Sequence, residues 1–377
     1  MKRTIQLLLL LPLLWAAGCQ KEASKTESEK AGIAGVEVPV TIQATFSDPA
    51  KPTKAIIQGT EIPNAFGYGI FVCKNGATNE AHKANSWNLK ATYETSQEEG
   101  MAGSWTYQYV NDFNSGALSI NSYPNITITS RVDEATADIY AYAPYMKEAY
   151  EKGPTAIPFS IAQDNQTQVD LMYAIENMDP TKNKGLDPLS AGDELLTADF
   201  TFKHALALLC FEFTVKNRID GVGTERSTLY RLQDITIKNN GTSTVTKLYE
   251  SGEFDAITGD FKNCVETQSL VIKQYNPGSQ EYLPLEPSAT PKESYVTLVP
   301  TQIEDDDLEI IVQVDNRYVK PIKIKKADLK HADGEEYGFQ GGYKYTFKFT
   351  LDYYLFLNGI TVNEWETDVT DLTEVEI

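Results

Sequence analysis

Three histidines, four cysteines and one run of four acids are the side chains whose types could do chemistry in this 377-residue chain. His82, His204 and His331 lie far apart and share no ligand spacing with one another or with a cysteine. His204 falls in an apolar strand-like run between Phe202 and Leu206, where a packed, hydrogen-bonded ring is the reading. A distant Asp or Ser partner for it stays open. The run Glu304-Asp305-Asp306-Asp307 has the charge to attract calcium but lacks the loop spacing of a calcium site. It directly precedes a strand-like segment and reads as a solvated turn. No GxSxG, phosphate-binding loop, HExxH or GxGxxG occurs, so no enzyme activity, cofactor or metal is expected.

The cysteines divide into one and three. Cys73 and Cys210 lie in apolar runs (GIFVCKN, ALLCFEF), as buried thiols do, and with Cys264 they make an odd number. Neither a disulfide framework nor a zinc site follows. Cys19 is different. Lys2 and Arg3 open the chain, Leu7 to Ala17 is an apolar run of signal-peptide length, and Ala16-Ala17-Gly18 lead into Cys19. The arrangement resembles a bacterial lipobox, in which the cysteine thiol is acylated and the preceding bond is cut; Ala16 stands where Leu is usual. Lipidation of Cys19 is therefore expected, and an outer-membrane anchor with it. Residues 20–35 are small, polar and charged, as a flexible tether would be.

The chain carries 33 Lys+Arg against 53 Asp+Glu, a formal charge of −20. Loss of residues 1–18 removes Lys2 and Arg3 and no acid, which takes the balance to −22. Such a surface repels nucleic-acid backbones and anionic lipid faces, so neither is an expected partner.

The elements that must position any site are strands. In VEVPVTIQATF, Val36, Val38, Val40, Ile42, Ala44 and Phe46 alternate with polar residues and Pro39. Pro39 has no amide donor, so this strand should lie at a sheet edge or be hydrogen-bonded on one side there. In YKYTFKFTLDY, Tyr343, Tyr345, Phe347, Phe349, Leu351 and Tyr353 share a face. Shorter alternating runs lie between, punctuated by Gly, Pro, Asn and Asp. Helical periodicity is nearly absent; residues 170–178 fit a short helix or another strand. The pattern predicts an all-β chain of antiparallel sandwiches. The expected organisation is a signal peptide over 1–18, a tether over 19–35, and β-sandwich domains over 36–218 and 219–377. The division follows a long apolar strand at 200–215.

Four phrases, in order along the chain, resemble the fimbrillin-like family of Bacteroidota, the type V pilins with their anchor and tip relatives. They are DIYAYAPY (138–145), PFSIAQDNQTQVDLMYA (158–174), FTFKHALALLCFEF (200–213) and GITVNEWE (359–366). The resemblance implies a surface lipoprotein of two transthyretin-like antiparallel β-sandwich domains in tandem. It also implies assembly: a trypsin-like protease cuts after a basic residue behind the first strand, that strand leaves, and a donor strand from another fimbrial subunit fills the groove. The physics would be β-augmentation, with backbone hydrogen bonds for affinity and alternate side chains for register.

On this reading the exchangeable strand carries Val36, Val38, Val40, Ile42, Ala44 and Phe46, and processing falls at Lys54 or Lys51. Lys54 stands where such pilins carry Arg, and Pro52 hinders cleavage after Lys51, so an uncleaved accessory role fits as well; both lysines also read simply as loop charges. In the tail, Val369, Val375 and Ile377 share a parity broken by Asp371 and Thr373. That tail is either a weak donor strand or a closing edge strand. Partners would be other fimbrial subunits and a host or bacterial surface receptor. The alternative function is a glycan-binding surface lipoprotein, since 21 tyrosines could stack on sugars. Trp87, Trp105 and Trp365 form no recognisable platform, and cross-strand packing accounts for aromatics at alternating positions.

Overall fold

The computed structural model describes residues 37–44, 67–74, 78–81, 86–94, 104–112, 117–118, 126–129, 137–174, 196–200, 202–216, 218–219, 225–226, 229–241, 244–315, 317–318, 321–331, 338–352 and 354–365. In the first part of the chain the strands are β1 (Glu37–Ala44), β2 (Tyr68–Lys74), β3 (Leu89–Glu94), β4 (Ser104–Gln108), β5 (Val110–Asp112), β6 (Ala117–Leu118), β7 (Ile126–Thr129), β8 (Ala137–Ala143), β9 (Ile157–Ser160), β10 (Met172–Ala174), β11 (Leu196–Phe200) and β12 (Phe202–His204). The second part holds β13 (Ala207–Val215), β14 (Arg218–Ile219), β15 (Glu225–Arg226), β16 (Tyr230–Asn239), β17 (Leu248–Phe254), β18 (Phe261–Thr267), β19 (Ser269–Lys273), β20 (Leu283–Leu285), β21 (Lys292–Leu298), β22 (Leu308–Val314), β23 (Arg317–Tyr318), β24 (Ile322–Lys323), β25 (Tyr343–Leu351) and β26 (Leu355–Glu364). Helix among the described residues amounts to one turn of α-helix, Ala149–Lys152, and one 3₁₀ turn, Lys326–Leu329. The chain is all-β.

By the part of the chain that supplies most of their strands, the sheets fall into two groups. One contains a three-stranded sheet, β11-β1-β7, and a six-stranded sheet, β12-β10-β8-β2-β3-β4. The other contains β21-β13-β25-β26 and β19-β16-β22-β23, with β20 and β24 pairing at the sides. A third sheet, β18-β17-β9, takes its edge strand β9 from the first part of the chain. Most ladders are antiparallel, as expected, but β1 with β11 and β13 with β25 run parallel. Parallel neighbours need long crossovers, and the connections from 44 to 196 and from 215 to 343 supply them.

Where the sequence alternates, burial alternates. Strand β22 (LEIIVQV) buries Leu308, Ile310, Val312 and Val314 and leaves the intervening residues half-exposed. Strand β25 buries Tyr345, Phe347, Phe349 and Leu351 as its parity predicts, and also Thr346. The continuous apolar run of β13 has both faces covered at its start, where every residue from Ala207 to Phe211 is buried. Phe211 stacks on Phe347 with ring centroids 5.2 Å apart, and Phe213 on Phe349 at 5.3 Å, across the parallel pair. One contiguous core runs from Phe71 and Tyr142 to Phe347 and Trp365.

One expectation is corrected and two open alternatives are decided. Residues 200–215 are not one strand: β12 pairs with β10, while β13 pairs with β21 and β25. Ala205 and Leu206, both buried, form the step between the two ladders. Of the helix or strand left open for residues 170–178, residues 172–174 take the strand. Of the two placements Pro39 allows, β1 does not take the sheet edge, because β7 flanks one side and β11 the other, but is bonded on one side at Pro39.

Candidate functional site

The two neighbours of β1 are staggered. Glu37 to Val40 pair with Thr129 to Ile126 of β7, and Val40 to Ala44 pair with Leu196 to Phe200 of β11. At Pro39 the only ladder partner is Thr127, so the residue without an amide donor sits where the strand is bonded on one side. Val38, Val40, Ile42 and Ala44 lie on this strand. Val36, Phe46, Lys51, Lys54, Cys19, Val369, Val375 and Ile377 fall outside the described residues.

The segment that follows β9 is fastened to the second group of sheets. The Ile161 amide donates to the Glu250 carbonyl at 2.8 Å, the Lys273 amide donates to the Gln163 carbonyl at 2.8 Å, and the Asn165 amide donates to the Lys273 carbonyl at 2.9 Å. The Asn165 side chain both accepts from the Tyr275 amide (2.8 Å) and donates to the Tyr275 carbonyl (2.9 Å). Gln168 is buried and spends its whole amide. Its oxygen accepts from the backbone and hydroxyl of Thr297, at 2.8 and 3.0 Å. Its nitrogen donates to the carbonyls of Ala162 and Asp164. A buried amide satisfied on both ends fixes the strap to β21 in one register.

At the end of this strap, three residues that the sequence left separate come together. Both carboxylate oxygens of Asp170 lie 3.0 and 3.1 Å from Nδ1 of His204. The opposite face of the chemistry is aromatic: the His204 ring lies on the Trp365 indole, centroids 3.8 Å apart and planes 8° apart. All three are buried. Asp170 precedes β10, His204 ends β12, and Trp365 follows β26, so the cluster joins both groups of sheets where β12 gives way to β13. The Trp365 amide donates to the Gly342 carbonyl at 2.7 Å and holds the end of β26 at the start of β25. The distant partner left open for His204 is Asp170. The available signal was a histidine in an apolar run, which must have a buried hydrogen-bond partner.

A second polar node lies in the phrase DIYAYAPY. The buried Tyr142 hydroxyl donates to Asn88 Oδ1 at 2.6 Å and accepts from the Met146 amide at 3.2 Å. Trp87 packs edge-on against Phe71 and donates its indole N–H to the Tyr150 carbonyl at 2.8 Å, so it is no exposed platform.

The remaining candidates fall into place. Cys73 and Cys210 are buried and Cys264 is half-buried. Burial, with a smaller push from Asp138, raises the Cys73 thiol to about 12. The run 304–307 forms a turn in which Asp305 accepts from the Lys326 amide at 2.7 Å. Cys210, Glu212 and Glu293 bring ligand atoms within 4.8 Å of one another on β13 and β21. His331 is buried against Tyr343 and Tyr345, with Nε2 3.1 Å from the Tyr345 hydroxyl. These contacts are those of packed strands.

Comparison with known proteins gives one family. A model described as fimbrillin-like matches residues 60–365. No curated protein matches the chain. Among solved structures, a fimbrial protein from Bacteroides vulgatus shares 13% identity at a TM-score of 0.47, over 87% of this chain and 99% of that one. The tip fimbrial protein Mfa3 from Porphyromonas gingivalis, with a C-terminal truncation, shares 9% identity at a TM-score of 0.40, over 88% of this chain and 100% of that one.

Proposed function

The chain belongs to the fimbrillin-like family, and from that premise we propose that it is a surface fimbrial subunit or accessory adhesin, lipid-anchored at Cys19, that assembles by strand exchange. One observation carries the exchange step. Strand β1 lies between two strands distant in sequence, and it is the sole ladder link between them among the described residues. Its departure would open a slot with unpaired backbone groups on both walls, at β7 and β11. An unpaired sheet edge is a template for another strand, and here two edges face one slot. A donor inserted there would recover both half-ladders. A contact between a slot on one subunit and a donor segment of the next is heterologous, so its repetition gives a filament rather than a closed pair.

Two further elements of the reading rest on geometry. The division into two domains near residue 218 is part of this reading; the nearby change of ladder partners at Ala205-Leu206, between β12 and β13, supports a junction in this stretch. The Asp170–His204–Trp365 cluster then acts as the rigid joint through which one domain carries its neighbour.

The test uses the mature chain, residues 19–377, incubated with trypsin under native conditions. The expected result is loss of residues up to Lys54, seen by mass spectrometry, together with multimers that survive mild detergent. Substitution of Lys54→Ala should block both. Intact chains that never multimerise, or multimers that retain residues 37–44 in the slot, would overturn the exchange reading.

A further inference from the structure

An open groove of about 640 Å³ lies beside the junction and takes no part in strand exchange. Its volume is within the roughly 300–1,000 Å³ usual for small-molecule sites. Three aromatic residues, Tyr173, Tyr249 and Phe261, line it together with Asp260, Asn263 and Glu266. In a regular strand Phe261 would face away from Cys264 and Glu266, yet all three border the groove. The β17–β18 ladder explains this: its register shifts twice, and Asn263 takes a left-handed φ of 49°. Bulges of this kind re-aim side chains toward one side.

The aromatic walls are held in place. Tyr173 packs edge-on against Phe254 at 5.8 Å, and Phe261 edge-on against Phe159 at 5.2 Å. Gly259 has a φ of +81°, and a side chain there would fall inside the Tyr173 ring, so glycine lets the turn close on the aromatic wall. Of the two lining carboxylates, Glu266 is paired with Lys247, which leaves Asp260 as the carboxylate facing a ligand. Asp260 and Asn263 are exposed; Asn263 donates its side-chain nitrogen to Glu253 at 2.6 Å, so both present oxygen acceptors to the groove.

Held aromatic faces, carboxylate and amide acceptors, and little net charge suit a ligand with apolar C–H faces and hydroxyl donors. We propose that this groove binds a neutral oligosaccharide, one sugar ring packing on Tyr249 and its hydroxyls donating to the Asp260 carboxylate. Lys247 beside Glu266 makes the groove a poor fit for a basic peptide, the other ligand that aromatic rings and acids would attract.

The mature chain is applied to an array of neutral oligosaccharides and basic peptides, and the strongest neutral hit is titrated by calorimetry. The proposal expects at least one neutral glycan to bind, and Tyr249→Ala and Asp260→Ala each to weaken it by about tenfold or more. Tyr354→Ala, at an exposed ring away from the groove, should leave affinity unchanged. Asp260 is at the surface, so its variant tests the groove even if Tyr249→Ala fails to fold. No neutral glycan bound, capture of basic peptides alone, or variants that bind like the parent would each overturn it.

Discussion

The Trp365 indole lies flat on the His204 imidazole, 3.8 Å between centroids, and the other side of that histidine is held by Asp170. The stack couples a strand of the first sheet group to the last described residue of the second. Removing Trp365 should therefore loosen more than its own contacts. Trp365→Ala is expected to lower stability by about 3–5 kcal/mol, as for other large buried aromatics. His204→Ala is expected to cost about 2–5 kcal/mol, because it removes the ring that stacks on Trp365 and the hydrogen-bond partner of the buried Asp170 side chain. Urea unfolding of each variant measures both, and a double variant costing less than the sum would show the coupling.

Gln168 should matter out of proportion to its size. Gln168→Ala leaves the buried Thr297 amide without its acceptor, at an expected cost of about 1–3 kcal/mol. Hydrogen exchange should show the loss first in residues 157–170 and β21, ahead of global opening.

Gly69 faces the Tyr142 ring, which is fixed by Asn88 and Met146. A methyl group there would overlap the ring. Gly69→Ala should destabilise the chain by about 1–3 kcal/mol, the usual cost of overpacking, and a thermal melt reads it. Asn88→Ala in the same background, by freeing the tyrosine, should recover part of that loss.

Alkaline pH should unfold the protein. The Cys73 thiol is raised from 9.0 to about 12 by burial, and burial also raises Tyr68 and Tyr142 well above their ordinary value. The folded state thus holds these protons more tightly than the unfolded chain. The associated stability is whole below pH 9 and is lost as pH rises toward 12, since the unfolded thiol ionises first. Urea midpoints should hold to about pH 9 and fall steadily from there to about pH 11. In the native protein, an alkylating reagent at pH 8 should label Cys264 well before Cys73 or Cys210.

Lipidation is checked by growth with an alkyne-bearing palmitate. The parent protein should take up the label and Cys19→Ala should not. Label retained in that variant would remove the anchor from the proposed function.

Some features of this protein are local, and the sequence by itself determined them. A period of two puts Leu308, Ile310, Val312 and Val314 on one face whatever strand lies beside them, because successive side chains in a strand point opposite ways. Pro39 likewise announces one-sided bonding, since its missing donor is a property of the residue. Buried Cys73 and Cys210, and the packed His204, were legible for the same reason. Pairing is not local. Nothing in ALLCFEFTV names its parallel neighbour at 343–351, and nothing in FKHALALL marks the step at Ala205 where one sheet ends and another begins. Both faces of that run are buried, so alternation gives no boundary there. Asp170, His204 and Trp365 are separated by 34 and 161 residues, and only chain topology makes them one cluster. The same holds for the slot around β1, whose walls come from residues 126–129 and 196–200: which edges meet is decided by how the sheets close, and a strand's own side chains carry no record of it.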